Sequence, residues 1–309
     1  MHGRLSMQVD STSYSDLKFL WLEITQHCNL TCRHCYTKSS PARPHNSIDW
    51  TALIADAHKL GCRQIQLIGG EPLTHPSFLD YLRLCRELSY EFIEVYSNLS
   101  LVTDEVCVEM RSAGANFAAS FYSFDSAIHD EFTLTPGSHK ATVEGIRMAV
   151  AYQIPIRIGM ISMPGRPDHD KMTISYLEDL GIPRNMIRTD HVRPVGRGVK
   201  ITPFKSQFET LCGACWSGKM AISFDGLCYP CVFSRDKVVG NVHLQKLAEI
   251  AGAEMLTSFR RDYRSQLKNT NTRREPTIED CIPDCDPSAG PCDPNCMPKC
   301  TPPCDPEKL

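Results

Sequence analysis

Residues 18–36 read KFLWLEITQHCNLTCRHCY, and the way this stretch divides sets the fold. Lys18–Thr25 is short, mostly apolar and rich in β-formers, the pattern of a buried strand. Directly after it, Cys28, Cys32 and Cys35 fall within eight residues. A loop carrying these cysteines and several prolines runs on to about Ser47. The chain therefore opens on a strand that empties into a cluster of thiols.

Outward from this point a strand–helix alternation repeats. Ile48–Leu60 has helical spacing, with Leu53, Ile54, Ala57 and Leu60 on one side, and Gly61 stops it. Gln64–Ile68 reads as a strand, Pro76–Leu88 as a helix, Phe92–Tyr96 as a strand and Thr103–Ala113 as a helix. Phe117–Phe121, Thr142–Tyr152, Pro155–Ser162, Lys171–Leu180 and Met186–His191 continue the series. Strands alternating with helices imply parallel pairing through right-handed crossovers. Runs such as IQLIG and AASF suit strands buried on both faces. An open doubly wound sheet and a barrel both satisfy this pattern. In either one, ligands collect at the carboxyl ends of the strands. That rim would gather the cysteine loop, Gly69-Gly70-Glu71-Pro72, Ser97-Asn98 and the segment from Ser120 to Asp125.

Composition bounds the function. Of 309 residues, 42% are apolar and 22% charged, the profile of a globular protein. The formal net charge of −3 gives no basic field for nucleic acid. Charged residues or prolines interrupt every apolar stretch, so no membrane span is expected. Residues 1–17 lack the apolar centre of a secretory signal and read as a polar arm. The 16 cysteines are the outlier: beyond the first three, Cys212, Cys215, Cys228 and Cys231 form a second group, and six more lie within 281–304. Clustered cysteines in a long chain without a signal point to metal or iron–sulfur binding in a reducing cytoplasm, not to disulfides. Cys62, Cys85 and Cys107 stand alone and read as small core residues.

Three nearby thiolates suit a four-iron cubane with one iron left open, which an amino acid's amino and carboxylate groups could chelate. The competing reading is a zinc knuckle completed by His27 or His34. CNLTCRHCY followed by GGEP after the next strand resembles the radical S-adenosylmethionine (SAM) superfamily over roughly residues 18–200. That resemblance implies an α/β fold, a partial (β/α)6 barrel, with a [4Fe-4S] cluster on Cys28, Cys32 and Cys35. It implies SAM on the open iron, with Gly69, Gly70, Glu71 and Pro72 near its amino group and Tyr36 near the adenine. Asn98 and Ser120 are further candidates for SAM contacts, and Asp125 is a weak candidate for catalysis, with helix capping as its alternative. Arg193-Pro194-Val195-Gly196-Arg197 resembles a family loop that would close the SAM pocket. The implied chemistry is one-electron cleavage of SAM to a 5′-deoxyadenosyl radical, which takes a hydrogen atom from an unactivated carbon. The electron would come from an external flavodoxin- or ferredoxin-type donor.

The second cysteine group has zinc-ribbon spacing when read alone. Within ISFDGLCYPC and VVGNVHLQKLAEI it resembles the opening of a SPASM domain, an auxiliary-cluster extension of such enzymes. The implied division is an arm over 1–17, the barrel over 18–205 and a small Cys-rich iron–sulfur domain over 206–309. One or two auxiliary [4Fe-4S] clusters follow: a nearer one on Cys212, Cys215, Cys231 and Cys296, and a farther one on Cys281, Cys285, Cys292 and Cys300 or Cys304. Cys228 has no role in that pattern. The plainer reading of the tail is a structural metal knot, since residues 281–309 hold too few large apolar side chains for a core. Family likeness implies modification of a ribosomally made peptide, by cross-linking, oxidation or epimerisation. With no spare N-terminal segment in view, a separate peptide-recognition protein would be needed. The alternative is dehydrogenation, epimerisation or decarboxylation of a small-molecule precursor. Outside catalysis, a zinc-binding adaptor is the remaining class. A sulfatase-maturase role fits less well, because Val232 follows Cys231 where an acidic base is required.

Overall fold

The computed structural model describes residues 17–44, 48–162, 167–205, 210–212 and 214–269. The six expected strands are present: β1 (Phe19–Thr25), β2 (Gln64–Gly69), β3 (Phe92–Tyr96), β4 (Asn116–Phe121), β5 (Ile156–Ile161) and β6 (Ile187–Asp190). They pair in parallel in simple succession from β1 to β6. Between them lie α1 (Trp50–Lys59), α2 (Phe78–Glu87), α3 (Asp104–Ser112), α4 (Ser126–Thr133), α5 (Ser138–Ala151) and α6 (Pro167–Asp179). Side-chain caps start several of them: Asp49 accepts from Ala52 N–H and Thr103 from Val106 N–H, each worth about 1 kcal/mol. α4 has no counterpart in the sequence reading. At eight residues it is too short to show a period, and only its Asp125 cap advertises it.

The strand alternation separates two unlike faces. Leu20, Leu22, Ile24, Ile65, Leu67, Ile93, Val95, Phe117, Ile158 and Met160 pack with the helices into the main core. Cys62, Cys85 and Cys107 are buried in that same core. The opposite, concave face carries aromatic and polar groups. Phe19, Trp21 and Phe92 cluster at its amino end. Above them Arg157 on β5 makes two 2.7 Å hydrogen bonds to Glu94 on β3, which Gln66 on β2 also contacts. All three are buried. An ion pair sealed this way loses several kcal/mol of hydration, which its two short charge-assisted hydrogen bonds offset.

The chain does not stop at six strands. β7 (Lys219–Ile222) pairs in parallel with β1, and β8 (Leu227–Tyr229) and β9 (Gly240–Asn241) extend the sheet in antiparallel fashion. The order is β6-β5-β4-β3-β2-β1-β7-β8-β9. The segment bearing the second cysteine group is thus built onto the same sheet, and α7 (Leu247–Ala251) and α8 (Glu254–Asn269) follow it. Among the described residues no helix is long and apolar enough to cross a membrane. The six cysteines from Cys281 to Cys304 lie outside the described residues, as does the expected arm over residues 1–17 except for Leu17, which is buried in the main core.

One tight contact tests the packing. A Cβ on Gly145 of α5 would stand 2.0 Å from the Leu99 carbonyl oxygen, and neighbouring Thr142 donates to the Asn98 carbonyl at 3.0 Å. Gly145→Ala forces helix and loop apart. Its unfolding free energy in denaturant titration should fall by about 1–3 kcal/mol.

Candidate active site

At the carboxyl ends of the strands the cysteine loop closes over a cavity of about 1030 Å³ of empty space, its open mouth included. Cys28, Cys32 and Cys35 all line it. The loop is held where the chain packs too closely for side chains. A Cβ on Gly70 would stand 2.0 Å from the His27 carbonyl oxygen, and one on Gly196 would stand 2.3 Å from that of Tyr36. Arg197 completes the grip, donating from Nε to the Cys32 carbonyl (2.8 Å) and from Nη2 to that of Ser39 (2.9 Å). Arg197 therefore holds the cysteine loop, and Arg193 from the same segment lines the cavity.

Glu71 is fully buried and does not reach the cavity wall. Its Oε1 accepts from Ser97 Oγ (2.7 Å) and Leu73 N–H (3.1 Å), and its Oε2 from Asn98 N–H (2.7 Å). Pro72 lies behind the wall with it, whereas Gly69 and Gly70 face the cavity. Asn98 also lines it, and its amide donates to Asn29 Oδ1 at 2.9 Å, tying the third strand end to the cysteine loop. Ser120 bonds Tyr96 Oη at 2.9 Å on the cavity floor. Tyr36 lines the cavity with its hydroxyl buried, its ring 5.5 Å from that of Phe233. Asp125 stands apart: it is exposed, and its Oδ1 caps α4 through Ala127 and Ile128 N–H. Capping accounts for Asp125, and no geometry here gives it a catalytic part.

Several cavity residues escaped the sequence reading: Tyr96, Tyr122, Asp190, His191, Val232 and Phe233. Tyr96 and Asp190 end β3 and β6, so the strand-end rule alone could have found them. Tyr122 hydrogen-bonds Cys32, and its ring packs at 5.2 Å from His34 and 4.7 Å from Phe132. His27 turns away, its Nδ1 at 2.9 Å from the Arg43 carbonyl. Neither histidine is arranged as a fourth ligand with the three thiols.

The donor set fits the expected cluster. Burial pushes the Cys32 thiol up to about 12 and Cys28 higher still. Such thiols lose their protons at neutral pH when a bound cation supplies the opposing charge. Among the described residues no group of three His, Cys, Asp or Glu side chains closes to the spacing of a single ion, and a cubane is wider than an ion. In the second group, Cys215 hydrogen-bonds both Cys212 and Cys231. Cys228 points into the main core from β8 instead. The four thiols of the zinc-ribbon reading are therefore split three to one.

The profile of the radical SAM superfamily matches residues 22–177, half of the chain. This chain belongs to the radical SAM superfamily. A profile described as an iron–sulfur cluster-binding domain, SPASM, matches residues 212–286. The AdoMet-dependent heme synthase of Methanosarcina barkeri is 27% identical over 163 residues, 52% of this chain and 46% of that protein. The antilisterial bacteriocin subtilosin biosynthesis protein AlbA of Bacillus subtilis is 25% identical over 256 residues, 71% of this chain and 56% of that one. This radical SAM chain thus spans about half the length of these relatives. SuiB of Streptococcus suis, solved with its precursor peptide SuiA, shares the fold at a TM-score of 0.63 and 14% identity, over 78% of this chain and 65% of that one.

Two measurements check the site. Replacing Cys231 by Ala should lower bound iron, while Cys228→Ala should leave it unchanged, by iron and sulfide analysis of anaerobically prepared protein. Burial also raises Glu71 from 4.5 to about 7. Between those values the folded chain keeps a proton that the unfolded chain has released, so this group's contribution to stability falls as pH rises from 4.5 to 7. Denaturation at pH 5 and pH 7 should show the wild-type advantage over Glu71→Gln shrinking at the higher pH.

Proposed function

We propose that this radical SAM enzyme modifies a ribosomally made peptide in the cytoplasm, by oxidative cross-linking, side-chain oxidation or epimerisation. When bound, the three-cysteine cluster and SAM supply the reducing electron and the 5′-deoxyadenosyl radical that removes a hydrogen atom from an unactivated carbon. Cys28, Cys32 and Cys35 would hold that cluster. The Gly69-Gly70 edge, Asn98, Ser120 and Tyr36 form the wall against which SAM would lie. Leu30, Ile68, Tyr96, Tyr122 and Phe233 keep water from the reacting carbon.

One observation carries the oxidative part of this reading. Val232 and Phe233, directly after Cys231, share a cavity wall with Tyr36, directly after Cys35. A substrate radical formed in this cavity would stand beside the second thiol group. There, Cys212, Cys215 and Cys231, with Cys296 as the proposed fourth ligand, would hold an electron acceptor. Cys281, Cys285, Cys292 and Cys300 or Cys304 would serve a farther cluster. The peptide class is supported by the likeness to the subtilosin biosynthesis protein and by the peptide-bound SuiB fold. The heme synthase relative favours the second reading, a small-molecule substrate.

The test mixes anaerobically reconstituted enzyme, SAM, a flavodoxin- or ferredoxin-type reductant and candidate precursor peptides. A peptide that loses the mass of two hydrogens while 5′-deoxyadenosine accumulates supports cross-linking or oxidation, and solvent deuterium incorporated without net mass loss supports epimerisation. Peptides left unchanged beside a modified small-molecule precursor would overturn the peptide reading. Changing Cys28, Cys32 and Cys35 together to Ala should abolish 5′-deoxyadenosine formation while iron on the second group remains.

A further inference from the structure

Three arginines stand around the two thiol groups, and their donors are engaged differently. Arg197 spends Nε and Nη2 on the Cys32 and Ser39 carbonyls. Arg235 contacts buried Glu23, and its Nε donates to the Val232 carbonyl at 2.6 Å. Arg193 is only 7% exposed, and its Nη2 donates to both Asp190 oxygens at 2.9 and 3.1 Å. Its guanidinium lies 5.1 Å over the Phe233 ring. Its buried Nε–H has no acceptor among the described residues. The Phe233 N–H in turn donates to the Cys231 thiol at 3.5 Å, so the guanidinium sits over the residue that touches that thiol, and the Cys212 and Cys231 thiols are among the groups that feel its charge.

A buried guanidinium stays charged, and an unused buried donor is costly. We infer that Arg193 sets the reduction potential of the iron–sulfur cluster held by Cys212, Cys215 and Cys231, making that cluster the better electron acceptor. Hydrogen bonds to cluster sulfurs and nearby charge are two of the determinants of such potentials. Reduction adds one negative charge, and a fixed positive charge beside the thiolates favours it. Asp190 opposes that effect while holding the guanidinium in place. Arg193 is thus a positioning residue for electron removal, an inference that rests on the oxidative reading of the cavity.

The experiment uses the full chain carrying Cys28→Ala, Cys32→Ala and Cys35→Ala, so that only auxiliary iron remains. Its reduction potential is followed by electron paramagnetic resonance during a redox titration. Adding Arg193→Gln should lower the potential at unchanged iron content. Adding Asp190→Asn should raise it, and Arg193→Lys should fall between parent and Gln. The opposite signs separate a charge effect from general damage. If Arg193→Gln fails to fold, the Asn and Lys variants still decide. Potentials that do not move, move in one common direction, or cannot be measured because no auxiliary iron is bound would each overturn the inference. Neither peptide nor SAM is present, so this outcome is independent of the precursor-peptide assay.

Discussion

The site depends on one buried carboxylate. Glu71 joins the end of β2 to the end of β3 through Ser97 and Asn98, while its own N–H donates to the His27 carbonyl at 2.8 Å. Three strand-end loops are thereby tied to each other. The sealing is possible because Gly70 allows the backbones to touch. A carboxylate in such surroundings accepts three hydrogen bonds and still keeps part of its desolvation penalty. That residual strain is tolerated because the thiol loop depends on the clasp for its position.

The division of faces explains how a buried sheet can serve a polar reaction. Branched apolar residues on the helix side supply the packing, and the concave side is released from that duty. It holds Glu94, Arg157 and Gln66 as one closed polar layer below Tyr96 and Ser120. Charge on this floor is neutralised internally, so the cavity above can hold a charged cofactor without an uncompensated field beneath it. Beside the cavity Arg193 pairs with Asp190, and farther from it Arg235 pairs with buried Glu23.

Much of this was legible in residue order. The six strands were visible because each is a short apolar run bounded by glycine or a polar turn, and the thiol loop because three cysteines fell after a strand. The rule that parallel strands present ligands at their carboxyl ends brought Gly69, Gly70, Asn98 and Ser120 to the cavity. Glu71 was legible as a site residue but not in its structural duty, which depends on Ser97 and Asn98 lying 26 and 27 positions away. The wall made by Val232 and Phe233 comes from a segment beyond the six strands that meets Tyr36 only in the folded chain. No local pattern announces such a meeting. Cys228 shows the same limit: spacing groups it with Cys231, but strand alternation turns it to the opposite face.

The parallel pairing of β7 with β1 has a consequence for how this chain is made. Phe19 and Lys219 are register partners, two hundred positions apart. During synthesis β1 leaves the ribosome first, yet one of its edges stays open until the hairpin that caps it has emerged. Such non-local closure is slow, and an uncovered strand rich in Leu, Trp and Ile invites pairing with other chains. Until β7 arrives, that edge of β1 stays available for such pairing.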